Sequence, residues 1–169
     1  SLYIVLFAAI IVYLGYSVIT FGDEWSNTPY NPRIQKAIEN ITEGSIFDRN
    51  STLLASSEND KSERSYIEDK TSRLALSHVL GDTHGMSVGA NSVFTSYLYG
   101  LKDGSVSAGA TRGNDITLTV DASLSKYIYQ NMNSMRGAAV VMNYKTGEIL
   151  ANVSIAAFDP VSVTEDTLE

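Results

Sequence analysis

The chain has no cysteine, only three prolines among 169 residues, and an excess of acid over base, with 19 Asp and Glu against 12 Lys and Arg. Without cysteine it has no disulfide framework, no thiolate metal site and no cysteine nucleophile. A net charge of −7 argues against a broad phosphate-binding surface, so nucleic acid is not an expected partner. The two histidines, His78 and His84, lack the spacing of a metal pair, and no glycine run follows a strand and opens a helix as a phosphate loop does. No cofactor and no metal are expected. Charge is missing altogether from the first 22 residues, which also lack proline.

That uncharged stretch, Ser1 to Gly22, is almost wholly apolar. As a helix it would reach about 30 Å, the thickness of a bilayer's hydrocarbon core. Tyr13, Tyr16, Phe21 and Trp25 cluster toward one end, where aromatic rings favour the membrane boundary. The stretch has no polar face for a soluble core helix and no Ala-x-Ala site for signal cleavage. It is read as a single-span membrane anchor. Asp23 and Glu24 follow it, and no Lys or Arg occurs before Arg33, which places the downstream residues outside the cell. An exported chain free of cysteine suits a bacterial envelope, and the Asn-x-Ser/Thr triplets at Asn40, Asn50 and Asn152 are chance matches.

Beyond the anchor, 27–33 reads as an extended connector and Ile34 to Ile41 as a short helix. Ile46-Phe47 and Leu53 to Ala55 frame a hairpin turning at Asp48 to Ser51. Ser56 to Glu63 is read as a solvated loop, Thr71 to Leu80 as a helix, and Val93 to Tyr99 as either a short helix or a strand. Lys102 to Asn114 has no apolar period and is read as a flexible connection. From Asp115 the pattern sharpens: Ile116, Leu118 and Val120 alternate as a half-buried strand, Asp121 caps a helix with a stripe of Leu124, Tyr127, Ile128, Met132 and Met135, and Ala138 to Met142 pairs with Glu148 to Ser154 across a turn that ends at Gly147. The final residues, to Glu169, are polar before the sheet begun here could be completed, so the chain reads as a fragment.

Three triplets invite a serine-enzyme reading: Ser123 to Lys126 (S-x-x-K), Ser57 to Asn59 (S-x-N) and Lys145 to Gly147 (K-T-G). Their order is wrong for one active site, and Ser123 and Lys145 are too close in sequence for a helical lobe between them. Each is better read as a helix face, a loop and a turn, so no catalytic residue is assigned. His78 reads as a helix-side residue bonded to backbone, and Asp48-Arg49 as a turn.

Longer strings carry a resemblance. Gly44-Ser-Ile-Phe-Asp-Arg-Asn-Ser-Thr-Leu-Leu-Ala55 is similar to R-G-x-I-x-D-R-N-G-x-x-L-A, Arg64-Ser-Tyr66 to R-x-Y, and Ser77-His78-Val79-Leu80-Gly81 to A-H-V-x-G. Gly89 to Gly100 follows the spacing of G-x-E and L-x-G, Gly113 to Leu124 resembles G-x-D-V-x-L-T-I-D-x-x-L, and Arg136 to Ala151 with Phe158-Asp-Pro160 is the most specific match. In this order, behind an anchor, they resemble the front of the class B penicillin-binding proteins. Departures are Glu43 for arginine, Ser51 for glycine, Asn91 for glutamate, Ser125 for glutamine, and Ala156-Ala157 where proline is common.

The resemblance implies an α+β fold: a transmembrane helix at 1–22, a β-rich pedestal or dimerisation domain at 23–110, and the opening strand, helix and hairpin of an incomplete transpeptidase domain at 111–169. It implies pedestal roles for Asp48, Arg49, Arg64, Tyr66, His78, Gly81, Gly89 and Gly100. It further implies a parent enzyme that crosslinks peptidoglycan stem peptides by serine acyl transfer and is acylated by β-lactams, with its nucleophile beyond Glu169, and possible contact with a SEDS glycosyltransferase. The competing expectation is a non-catalytic envelope scaffold.

Overall fold

The computed structural model describes residues 2–26, 36, 41–57, 64–82, 87–102, 105–106, 110–132 and 135–163. The expected helix of 34–41 and the connector of 27–33 fall almost wholly outside these. The fold is α+β.

Helix α1, Leu2–Ser26, is long and apolar enough to cross a membrane over Leu2–Gly22, with a mean hydropathy of 2.4. Large apolar side chains are exposed all round it, as in a helix whose surroundings are meant to be lipid rather than protein.

The main sheet joins residues far apart in sequence. Strands β1 (Ile46–Phe47), β2 (Leu53–Ser57), β3 (Arg64–Tyr66) and β6 (Ile116–Thr117) lie in the order β3-β2-β1-β6. β1 and β2 form the expected hairpin, and Ser51 at its turn takes a left-handed φ of 65° where the family pattern has glycine. β6 lies parallel to β1, Ile46 facing Ile116 and Phe47 facing Thr117. Ile46, Leu54 and Ala55 from the sheet, Leu76, Leu80, Ala90 and Leu98 from the helices above it, and Val120 with Ala122 form one core. Its apolar surface, removed from water, drives the assembly.

Helices α2 (Lys70–Ala75) and α3 (Ser77–Leu80) replace the single helix expected over Thr71 to Leu80; Leu76 breaks it, with φ −103° and ψ 1°. Asp69 caps α2 by accepting from Ser72 N at 2.8 Å. The undecided stretch folds as two turns, α4 (Ala90–Val93) and α5 (Thr95–Leu98), and a small ribbon of β4 (Leu101–Lys102) and β5 (Ser105–Val106) follows.

Two loop assignments are corrected. Ser56 and Ser57 continue β2 opposite Ser65 and Arg64; their polar side chains hid a strand held by backbone pairing. Lys102 to Asn114 is not a free connection: Lys102 pairs with Ser105, Thr42 N bonds Thr111 O at 2.9 Å, and Gly113 N bonds Thr42 O at 2.9 Å. A segment that docks through its main chain leaves no apolar period to read.

The closing unit keeps its order, but the strand expected through Val120 is only Ile116–Thr117, and of the expected helix stripe Tyr127 is exposed and Met135 lies past the helix end. Helix α6, Ala122–Met132, begins after Asp121, which accepts from Leu124 N at 2.9 Å, and strands β7 (Ala138–Met142) and β8 (Ile149–Ser154) form an antiparallel ribbon whose turn uses Gly147 at φ +78°.

Candidate functional site

The motif residues do not line a catalytic cleft. Arg64, Tyr66, Gly81 and Gly89 make contacts within 43–91, while Asp48, Arg49 and His78 bond to the residues around α6 and β8 and build a polar joint there.

Asp48 is its centre. It sits in the β1–β2 turn, 1% exposed, where Oδ1 accepts from Asn50 N at 2.8 Å and Thr52 N at 2.7 Å, and Oδ2 accepts from Ala122 N at 3.1 Å. One carboxylate thus closes the turn and satisfies an amide in the first turn of α6, 74 residues away. Arg49 N adds a bond to Val120 O at 3.0 Å, and Asn50 donates to Asp121 Oδ2 at 3.0 Å. The Asp121 carboxyl is held below its ordinary range, first by the Leu124 amide and then by Asn50 and the Arg49 charge.

Arg64 opens β3, its side chain 1% exposed, in an ion pair with Glu43 at 2.8 Å, and it donates to Gly44 O at 3.1 Å. Glu43 occupies the position where the family pattern has arginine, so Arg64 keeps an ion pair here through a carboxylate on the first motif. Burial pushes the Glu43 carboxyl up against the opposing pull of Arg64, and burial with the Glu43 charge pushes the Tyr99 phenol up to about 12.

Tyr66, Gly81, Gly89 and Asn91 form a second knot. Asn91 Nδ2 donates to Tyr66 Oη at 3.0 Å and to Gly81 O at 3.2 Å, and Tyr66 Oη donates to Gly81 O at 3.2 Å. Gly81 has φ +70°, and a Cβ on Gly89 would overlap the Gly81 nitrogen and the Leu80 carbonyl carbon. The two loops therefore touch backbone to backbone, which only glycine permits. Gly100 ends α5 with φ +66°.

His78, on α3, hydrogen-bonds Ala156 O through Nε2 at 2.8 Å and stands edge-on to Phe158, the ring centroids 5.2 Å apart. Beside it runs the pair that sequence reasoning missed. Arg73 donates from Nε to Asp159 Oδ1 at 2.7 Å and from Nη2 to Oδ2 at 3.0 Å, a bidentate fork, while its Nη1 donates to Ile67 O and Glu68 O. The Arg73 guanidinium holds the Asp159 carboxyl below its usual range. Asp159 stood inside a quoted motif, but Arg73 had no signal beyond being a cation on a helix.

Ser123 and Lys145 stand on separate elements. Ser123 is exposed in the first turn of α6, and Lys145 is exposed in the β7–β8 turn, its Nζ 5.7 Å from the Tyr144 ring centroid. Among the described residues no hydrogen bond joins them. Lys126, the lysine of S-x-x-K, instead pairs with Asp69 at 3.1 Å; the bonds from Ser72, then Lys126, lower the Asp69 carboxyl to about 2.

No family model matches the chain. Solved structures place it: the fold is that of the penicillin-binding proteins. PBPA of Mycobacterium tuberculosis shares it with a TM-score of 0.60 at 22% identity, covering 75% of this chain and 32% of that one. Penicillin-binding protein 3 of the same organism, in its apo form, matches at 30% identity and TM-score 0.57 over 73% of this chain and 30% of its own. PBP2 of Pseudomonas aeruginosa matches at 26% identity and TM-score 0.54 over 72% of this chain and 28% of its own. In sequence, 50 residues are 46% identical to the peptidoglycan D,D-transpeptidase MrdA of Acinetobacter baumannii, 30% of this chain and 7% of that protein. The chain is similar in structure to these penicillin-binding proteins over about three quarters of its length. It spans about a third of the solved chains it matches.

Proposed function

We propose that the chain is the anchoring and pedestal part of a class B penicillin-binding protein. In this reading residues 1–22 hold it in the bacterial membrane with the rest outside the cell, 23–110 form the pedestal, and 111–169 begin the transpeptidase domain. The whole protein would crosslink peptidoglycan stem peptides: a serine outside these residues attacks the peptide carbonyl, forms an acyl-enzyme and passes the acyl group to a neighbouring amine. β-Lactams would acylate the same serine, and a SEDS glycosyltransferase is a proposed partner of the anchor and pedestal.

The observation that carries the reading is the joint. Asp48, Arg73 and His78, from the segments that resemble the pedestal, bond to Ala122, Asp159 and Ala156, from those that resemble the transpeptidase opening. Its role would be positional: it fixes where α6 and the β7–β8 ribbon stand relative to the sheet, and so the direction in which a reaction centre built on them faces. Lys126 engaged with Asp69, and Ser123 exposed, support placing the nucleophile elsewhere.

A fluorescent penicillin tests this. The full-length protein should be labelled in membranes and residues 1–169 should not; labelling at Ser123, or a full-length protein that resists every penicillin, would overturn the assignment.

A further inference from the structure

Strand β6 ends the main sheet, and among the described residues only one of its edges is used. Ile116 N bonds Ser45 O at 2.9 Å and Leu118 N bonds Phe47 O at 2.8 Å, so both residues turn their backbone groups toward β1. In a parallel ladder the residue between them, Thr117, points its N–H and C=O the other way. Among the described residues those two groups have no partner.

Beside this edge lies an apolar trough. Ala90 and Leu98 of the two short helices reach the core, whereas Val93, Phe94 and Tyr97 are 64%, 42% and 54% exposed. A cavity of about 360 Å³ lies between Phe94, Tyr97 and residues Ile116, Thr117 and Leu118. A second, of about 310 Å³, shares Phe94 and Leu118 and continues to Thr119 and Asn152. Two hydrogen bonds flank it: Asn114 Nδ2 donates to Tyr97 O at 3.1 Å, and Thr119 Oγ1 donates to Ile149 O at 2.7 Å. The slot between them, from Asp115 to Thr119, is about 15 Å long at the rise of a β-strand.

We propose that this slot takes up an extended segment of a partner protein, which adds to β6 as a further strand and seats alternate apolar side chains beneath Phe94 and Tyr97. The free edge decides the class of occupant. A helix or an acyl chain would bury the N–H and C=O of Thr117 unbonded, whereas a strand supplies their partners. Alternation follows from strand geometry, since every second side chain faces the trough. The chain's net charge of −7 favours a basic or neutral segment over an acidic one.

The probe is the peptide Lys-Thr-Val-Thr-Val-Thr-Val-Lys, amidated and fluorescein-labelled, titrated by anisotropy against the full chain in detergent micelles. Saturable binding should weaken at least tenfold, a loss of about 1.4 kcal/mol, in both Phe94→Asp and Thr117→Pro, and stay unchanged in Tyr127→Asp on α6. Thr117→Pro removes the outward N–H and spares the bonds to β1; circular dichroism checks its fold, and Phe94→Asp, at an exposed position, remains readable if the proline variant unfolds. No saturable binding, or equal binding by wild type and both variants, overturns the proposal. Dimers in sedimentation that both variants abolish would overturn it in favour of a second copy of the chain. None of these outcomes depends on penicillin labelling.

Discussion

Asp48 shows how much one side chain can hold. Three amides converge on its carboxylate, and removing it leaves all three to find other partners inside the fold. Asp48→Ala should lower the stability of the full chain in detergent by about 3 kcal/mol, read from urea unfolding, and Asp48→Asn by about half as much. Glu43 makes a different prediction. Burial raises its carboxyl above 4.5, so folding takes up a proton there, and its contribution to stability grows as pH falls through the shifted value and is complete below 4.5. Asp115, Asp121 and Asp159 run the opposite way: their depressed values give stability that is present above 3.8 and lost as pH falls through them. Unfolding midpoints of wild type relative to Glu43→Gln should therefore rise between neutrality and 4.5.

The elements are short, so their junctions matter more than their propensities. Gly89→Ala places a methyl group against the backbone of Leu80 and Gly81, which has no rotamer through which to move aside, and should cost about 3 kcal/mol in thermal unfolding. Arg73 and Asp159 are 15% and 17% exposed, and a double-mutant cycle to alanine should find a coupling of about 1–3 kcal/mol. Elements with internal periodicity could be read directly: the β1–β2 hairpin, α6 behind its Asp121 cap and the β7–β8 ribbon each carry their pattern within a few residues. The break at Leu76 could not, because it answers to packing over the sheet. Nor could the docking of Thr111 and Gly113 on Thr42, which the main chain performs. At the joint, the sequence pointed to Asp48, His78 and the glycines through a resemblance, while their partners Ala122, Ala156 and Asp159 follow only from the chain's path in space.

For the whole molecule, the uncharged first helix was the plainest reading, since a span of apolar residues without a polar face is a solvent statement in itself. As an anchor, α1 should tolerate no charge near its middle: Val12→Lys should add about 2.5–3.5 kcal/mol to insertion and shift the protein from the carbonate-resistant membrane pellet toward the supernatant. The placement of β6 was the least legible global feature. Nothing in Ile116 and Thr117 names β1 as their neighbour rather than a strand nearer in sequence, yet Ser45 and Asp115, 70 residues apart, meet at 2.7 Å.

That distant pairing sets a timetable for biogenesis. β1 lies in the sheet between a neighbour made within seconds of it and one that the ribosome delivers about 70 residues later. Until then a nascent polypeptide presents a hairpin with one raw side and a half-covered apolar face, the state that chaperones and proteases compete for. Closing so wide a loop is the slow event, and mutations at Ile46 or Ile116 should therefore show themselves first as poor yield rather than as a weakened finished product.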